Sequence, residues 1–282
     1  MSTFVQTPKS YHQGARTMPG EYYTSPEIFG EEQSRLFGRD WICVGRADRL
    51  ATPGDYFVRT IAGDSLIFLR DRGGVLRAFF NVCRHRGTRL CAQESGHLSE
   101  TIQCQYHAWT YTTDGKLIGA PHMNEVAGFD KADYPLHQAA IHEWEGFLFV
   151  NLDPNAAAFE ESHAPLIDRF SRFNLPGLRV GHRVTYDVNT NWKLVFQNYN
   201  ECLHCPVIHP ELSARMPYLS GANDLTAGRF LGGYMVISEP AVSVTMTGKA
   251  CGVPIADLSA EDRRRAFYYS FQPNMLLSIQ PD

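Results

Sequence analysis

The sequence predicts an α+β protein in which a small all-β domain is followed by a second domain of mixed helices and antiparallel strands. Three observations predict it. Residues 41–152 are a series of short β-branched and aromatic segments punctuated by turn formers. Beyond residue 155 that pattern gives way to a helical stretch set among further strands. The 282 residues also exceed the roughly 100–200 that a single domain usually takes.

The opening residues are polar and rich in turn formers, and with the helix after them they form an arm over residues 1–40. Ser25-Pro26-Glu27 reads as a helix start: Ser caps, Pro suits the first helical position, and Glu favours the positive helix end. Ile28, Phe29, Leu36 and Phe37 supply an apolar face. The β domain covers residues 41–155, with strands expected over 56–60, 66–70, 75–80, 109–111, 116–118 and 147–150. Asp71-Arg72-Gly73-Gly74 and Asp114-Gly115 are its turns. Asn155-Ala156-Ala157-Ala158, with the acidic residues and Pro165 after it, reads as a linker. The second domain, residues 156–282, is expected to hold a strand over 183–188 and a helix from 191 to about 204. Strands over 234–237, 242–246, 267–271 and 275–279 follow, with a capping-box helix start at Ser259-Ala260-Glu261-Asp262.

The formal net charge is −4 and the pI about 6.3, which argues against nucleic acid as the main partner. Arg263-Arg264-Arg265 reads as a solvated helix face. No apolar stretch is long enough to cross a bilayer. Met1-Ser2-Thr3-Phe4 lacks a basic segment leading into an apolar one, so a cytoplasmic location is expected. The seven cysteines are clustered with histidines, a pattern of metal or redox chemistry more than of a disulfide framework. Cys43, Cys91 and Cys251 lie outside the clusters and read as ordinary buried thiols.

The first cluster pairs Cys83-Arg84-His85 with Cys104-Gln105-Tyr106-His107. Each pair is mixed. A Rieske [2Fe-2S] centre binds one iron through two thiolates and the other through two imidazoles, so two loops that each give one Cys and one His satisfy both. A finger-type zinc site usually pairs like with like, and its setting is ββα, not all-β. Gly87 allows an unusual turn just after His85.

The second cluster runs from Asn191-Trp192-Lys193 through Asn198-Tyr199-Asn200-Glu201-Cys202-Leu203-His204-Cys205-Pro206-Val207-Ile208-His209-Pro210. Glu201 and His204 would share one helix face. His204 and His209 would be separated by roughly 140° on a straight helix. Pro206 is expected to break the helix at Cys205 and let His209 swing back. Two converging imidazoles suit iron, zinc or copper. A rival reading takes Cys202-Leu203-His204-Cys205 as a redox pair or half of a zinc site, although no thioredoxin-like βαβ context surrounds it.

Both clusters, in this order, resemble the Rieske non-haem iron oxygenases, specifically their catalytic α subunits. The matching motifs are Asn81-Val82-Cys83-Arg84-His85-Arg86-Gly87, Cys104-Gln105-Tyr106-His107-Ala108-Trp109 and the stretch from Asn191 to His209. The resemblance implies a β domain holding the [2Fe-2S] cluster on Cys83, His85, Cys104 and His107. It implies a helix-grip catalytic domain with one mononuclear Fe(II) on His204 and His209, Asn198 close to that iron, and Glu201 as the carboxylate bridging the two centres. O2 would be the co-substrate. Electrons would come from NAD(P)H through a separate reductase or ferredoxin. A head-to-tail homotrimer would bring His107 of one subunit near Glu201 of the next.

In that family the third iron ligand is an Asp well beyond a segment like Gln272-Pro273-Asn274. Asp282 comes too early to take its place, so the chain is expected to be truncated and its mononuclear site incomplete. Glu at position 201, where ring-dihydroxylating members carry Asp, resembles the betaine, carnitine and choline branch. Hydroxylation or N-demethylation of a quaternary amine is therefore preferred. The alternatives are an aromatic-ring hydroxylating dioxygenase, a Rieske electron carrier without a working mononuclear iron, and a structural zinc protein.

Overall fold

A computed structural model of the chain describes residues 3–282. It forms two compact units: the residues up to Phe29 together with Phe159–Asp282, and Gly30–Ala158. The opening residues thus group with the C-terminal half, whereas the sequence suggests a separate segment over 1–40. The reason is a strand. β1 (Phe4–Gln6) hydrogen-bonds to the edge of a sheet formed two hundred residues later. After it come α1 (Glu21–Thr24) and α2 (Pro26–Glu32). Ser25 starts α2 as expected, its Oγ accepting from Ile28 N–H at 3.2 Å.

The β unit contains β2 (Ile42–Arg46), β3 (Asp55–Ile61), β4 (Asp64–Arg70), β5 (Leu76–Phe80), β6 (Ser95–His97), β7 (Thr101–Gln103), β8 (Thr110–Thr112), β9 (Leu117–Gly119), β10 (Gln138–Trp144) and β11 (Phe147–Asn151). One antiparallel sheet has the order β2-β11-β10-β5-β4-β3-β6, and a second has the order β7-β8-β9. Strand β4 shows why Leu66-Ile67-Phe68-Leu69 reads as an unbroken apolar run. Leu66 and Phe68 enter one core with Phe57, Leu148 and Val150. Ile67 and Leu69 enter the other, with Phe79, Ile102, Trp109 and Tyr111. All four are fully buried, and side chains alternate across a strand, so only a run apolar on both faces can sit there. Cys83 and Cys104 belong to the second core.

The other unit adds α3 (Phe159–Ser162), α4 (Trp192–Asn200), α5 (Cys205–Ile208) and α6 (Pro210–Arg215). Its strands are β12 (Ala222–Asp224), β13 (Phe230–Val236), β14 (Arg265–Phe271) and β15 (Met275–Ile279), in the antiparallel order β1-β12-β13-β14-β15. Alternation along β14 divides the labour. Phe267, Tyr269 and Phe271 pack against Phe170 and Phe173, with ring centroids 4.9–5.8 Å apart. Tyr268 and Ser270 face α4: Tyr268 meets Tyr199, and Ser270 Oγ donates to Asn200 Oδ1 at 2.9 Å. Fully burying an aromatic of this size is worth about 1.5–3 kcal/mol, so this face anchors the sheet.

Several expectations are corrected. Residues 183–188 form no strand. Their alternation is right, but they pair with no described strand, and Tyr186 is 81% exposed. Residues 242–246 form a local turn, because the Ser243 and Thr245 hydroxyls bond nearby backbone groups in competition with a ladder. Arg264 and Arg265 are not a solvated face: Arg264 donates to Ile237 and Ala241 carbonyls, and Arg265 pairs with Glu261 and Asp262. Cys251 is exposed, and Cys43 is only partly buried.

Candidate functional site

The four cluster residues sit on two loops built by one device. Cys83 N–H donates to Thr88 O at 2.8 Å, and Gly87 N–H to Cys83 O at 3.0 Å. Cys104 N–H donates to Trp109 O at 2.8 Å, and Ala108 N–H to Cys104 O at 3.0 Å. The fourth residue after each Cys is left-handed, with φ 72° at Gly87 and 55° at Ala108. Asn81 braces the first loop from inside. Its Oδ1 accepts from Leu90 and Cys91 N–H, and its Nδ2 donates to Cys91 O at 2.8 Å.

Cys83 and Cys104 are unbridged and buried in the same core. The His85 and His107 rings lie 4.7 Å apart at 74°. His107 Nδ1 is buried with no hydrogen-bond partner, an arrangement proteins rarely tolerate unless an atom such as a metal satisfies it. Among the described residues, no three His, Cys, Asp or Glu side chains converge as one ion would require. The two cysteines neighbour each other and the two imidazoles neighbour each other, the arrangement that two irons with two like donors each require. The residues present therefore suit a [2Fe-2S] cluster. Desolvation, followed by the charges of His107 and Arg86, holds His85 below the ordinary imidazole value, which favours the neutral form that ligation requires.

Two further residues shape this centre and were missed in the sequence. The Tyr111 hydroxyl lies 3.4 Å from Cys83 Sγ and accepts from Arg84 N–H at 3.1 Å, leaving its proton free for the sulfur. Trp109 stacks on His85 at 5.0 Å and 8°, boxed by Phe129 and Tyr134. The signal was present: residues two apart on a strand share a face, so Trp109 and Tyr111 had to point the same way.

The second cluster follows from how α4 ends. Asn191 caps its start, Oδ1 accepting from Lys193 N–H at 3.0 Å. The buried Lys193 ammonium lies over the Trp192 and Tyr23 rings. The helix stops at Asn200, short of the expected 204, and Glu201 is extended. Glu201 and His204 thus do not share a helix face. They meet across a turn instead, His204 Nδ1 lying 2.7 Å from Glu201 Oε1. Glu201 Oε2 accepts from Leu203 N–H at 2.7 Å. Desolvation works against ionising Glu201, but the bonds from His204 and Leu203 outweigh it and hold the carboxyl below its ordinary value. Pro206 does not break a continuous helix; it sits in the first turn of α5, where its missing N–H costs nothing.

With Nδ1–H given to Glu201, His204 presents Nε2 as its free donor. The His209 ring lies 5.4 Å away at 77°. Both histidines, with Asn198 and Glu201, line a cavity of about 470 Å³. Tyr11, Tyr199, Tyr218, Tyr234 and Tyr268 form much of its remaining wall. The two imidazoles suit a mononuclear iron, and no third donor joins them among the described residues. Cys202 and Cys205 are joined as a disulfide on the same wall, so the thiol pair noted in the sequence is oxidised here.

Comparison with known families agrees with this geometry. Residues 40–130 match the Rieske [2Fe-2S] domain, and residues 175–282 match the ring hydroxylating alpha subunit catalytic domain. The chain belongs to the Rieske oxygenases, in the class of their catalytic α subunits. Among its relatives is the carnitine monooxygenase oxygenase subunit of Acinetobacter baumannii, 37% identical over 198 residues, which are 70% of this chain and 53% of that protein. The glycine betaine monooxygenase oxygenase subunit of Chromohalobacter salexigens is 36% identical over 71% of this chain and 44% of its own length. The chain spans about half the length of the curated relatives it matches. A crystal structure of a quaternary ammonium Rieske monooxygenase with L-carnitine superposes with a TM-score of 0.78 at 29% identity, covering 94% of this chain and 68% of that one. No helix among the described residues is long and apolar enough to cross a membrane.

Proposed function

We propose that the chain is the oxygenase component of a monooxygenase acting on a small quaternary ammonium compound. When bound, the [2Fe-2S] cluster supplies single electrons and the mononuclear iron supplies O2 activation. Cys83, Cys104, His85 and His107 would hold the first, and His204 and His209 would hold the second. Glu201 keeps the His204 ring oriented through Nδ1, as carboxylates beside metal-bound histidines commonly do. Its remaining exposure leaves it open to a second imidazole, and we assign that partner to His107 of a neighbouring copy in a homotrimer. An NAD(P)H-dependent reductase or ferredoxin would deliver the electrons.

One observation carries the substrate class: five tyrosines and the ionised Glu201 wall the cavity that holds both histidines. A quaternary ammonium cannot donate hydrogen bonds, and it is attracted to π faces and to nearby negative charge. About 470 Å³ suits a molecule of that size. The relatives named for carnitine and glycine betaine support the same reading. The test is O2 uptake with a matched reductase over carnitine, glycine betaine, choline and a set of aromatic acids. Uptake with a quaternary amine is expected; uptake with aromatics alone would transfer the chain to ring hydroxylation. About three irons and two acid-labile sulfides per active chain are expected, and two irons in an active chain would remove the second centre.

A further inference from the structure

The Cys-x-x-Cys element Cys202-Leu203-His204-Cys205 has no part in the function proposed above. Its sulfurs are bonded to each other, with the Cα atoms 5.0 Å apart. Both residues line the cavity that holds His204 and His209. Cys205 Sγ lies 3.8 Å from His204 Nε2, the nitrogen left free by Glu201. A tetrahedral zinc, with Zn–S about 2.3 Å and Zn–N about 2.0–2.1 Å, holds sulfur and nitrogen about 3.6 Å apart. The observed separation is already close to that edge. A disulfide sulfur is no thiolate donor, so the bridged form cannot use that edge.

We propose that reduction of the Cys202–Cys205 bridge unmasks a site for a thiophilic divalent cation, Zn(II), formed by both sulfurs, His204 Nε2 and His209. The step is a thiol–disulfide exchange with a dithiol reductant. The S–S bond breaks, two electrons and two protons pass to the sulfurs, and the reductant closes into its own disulfide. On metal binding the two thiol protons leave to solvent. Two thiolates then neutralise the 2+ ion, whereas the two histidines alone leave it charged within the cavity. Because His204 and His209 serve both metals, the inference rests on their reading as ligands, and zinc there displaces iron. The redox state of the bridge thereby decides which metal the cavity accepts.

The test uses the chain with its Rieske cluster intact, verified by its visible absorption, and with loosely held iron removed by mild chelation. One portion is reduced with dithiothreitol and one oxidised with diamide; each is desalted, exposed to Zn(II) alone, desalted again and analysed for metal. The reduced portion is expected to retain about one zinc per chain more than the oxidised one. Alkylation and mass mapping should find Cys202 and Cys205 free before zinc and shielded after it. The gain should vanish in Cys202→Ser, Cys205→Ser and His204→Asn, and survive in Cys251→Ser. Equal uptake by both portions, or uptake that survives Cys205→Ser or His204→Asn, would overturn the proposal. The comparison of reduced with oxidised wild type needs no variant to fold. Fe(II) retention is measured separately on Cys202→Ser, which keeps both histidines. Failure there removes the iron reading and leaves the zinc result to stand or fall by itself.

Discussion

The two proposed metal sites hold their candidate ligands by opposite means. In the β unit, both sulfurs are buried in a core, each loop is closed by a pair of backbone hydrogen bonds, and Asn81 fixes a neighbouring turn. In the catalytic unit, His204 and His209 flank a four-residue helix that follows the end of α4, and they line a cavity. An electron store works best with little rearrangement between its two redox states, which rigid buried loops provide. A site that admits substrate and O2 needs space and open coordination positions, so its ligands are placed by a few side-chain contacts.

The sharpest way to break this contrast is to remove one ligand from each side. Cys104→Ser should abolish the visible absorption of the cluster and destabilise the β unit, because metal binding and folding are coupled where donors are buried. His209→Ala should leave that absorption and the β unit's thermal transition unchanged while removing one iron per chain. Loss of the cluster band in His209→Ala would show that the two regions are not independent.

The next largest effect lies beneath the cavity. Asp224 is buried and accepts from Arg169, from Tyr269 OH at 3.0 Å, and from Thr226 N–H and Oγ1 at 3.1 and 2.7 Å. Desolvation raises its pKa, but the Thr226 bonds and the Arg169 charge prevail, so the folded value lies below the ordinary carboxylate one. Its stabilisation is therefore complete above about pH 4 and is lost as pH falls through the lowered folded value. Asp224→Asn leaves Arg169 without its counter-charge and should cost the catalytic unit about 3–5 kcal/mol in urea unfolding at pH 7. Its stability should also change less than the wild type's below pH 4.

A smaller effect tests how the β unit tunes its cluster. Tyr111→Phe removes a hydroxyl 3.4 Å from Cys83 Sγ. A donated hydrogen bond favours the more negative, reduced cluster, so the variant should keep its absorption while its reduction potential falls by tens of mV. An unchanged potential would mean that the hydroxyl accepts from Arg84 without donating to sulfur.

The contrast also explains what could be read from the sequence. The candidate cluster ligands could be picked out because each Cys–His pair is local, and the mixed pairing alone favours two irons over one zinc. Strands such as β4 and β14 were legible as short β-branched and aromatic runs, β4 being apolar throughout because both its faces are buried. Residues 183–188 alternate as a half-buried strand would, but a strand also needs a partner edge, which is a tertiary fact that periodicity does not encode. The end of α4 at Asn200 was missed because nothing in Glu201-Cys202-Leu203 forbids a helix. The Glu201–His204 contact survived that error, since a turn brings them together as a helix would. The cavity tyrosines come from five separate segments, and only the fold assembles them.

The finest test compares the two cluster loops with each other. They share hydrogen-bond offsets and a left-handed fourth residue, yet one uses Gly87 and the other Ala108. A left-handed L-residue costs about 1–2 kcal/mol, and glycine avoids this while giving up about 0.5–1 kcal/mol of chain entropy. A Cβ built on Gly87 would meet nothing nearer than Val82 Cγ2 at 3.9 Å, so sterics add nothing to the backbone term. Gly87→Ala should therefore cost about 1 kcal/mol, and Ala108→Gly should gain up to about 1 kcal/mol. The double variant should fall close to wild type. Thermal unfolding followed by the cluster absorbance measures all three. If Gly87→Ala costs several times more than Ala108→Gly gains, the first loop has a constraint, such as the Asn81 bonds, that the second does not share.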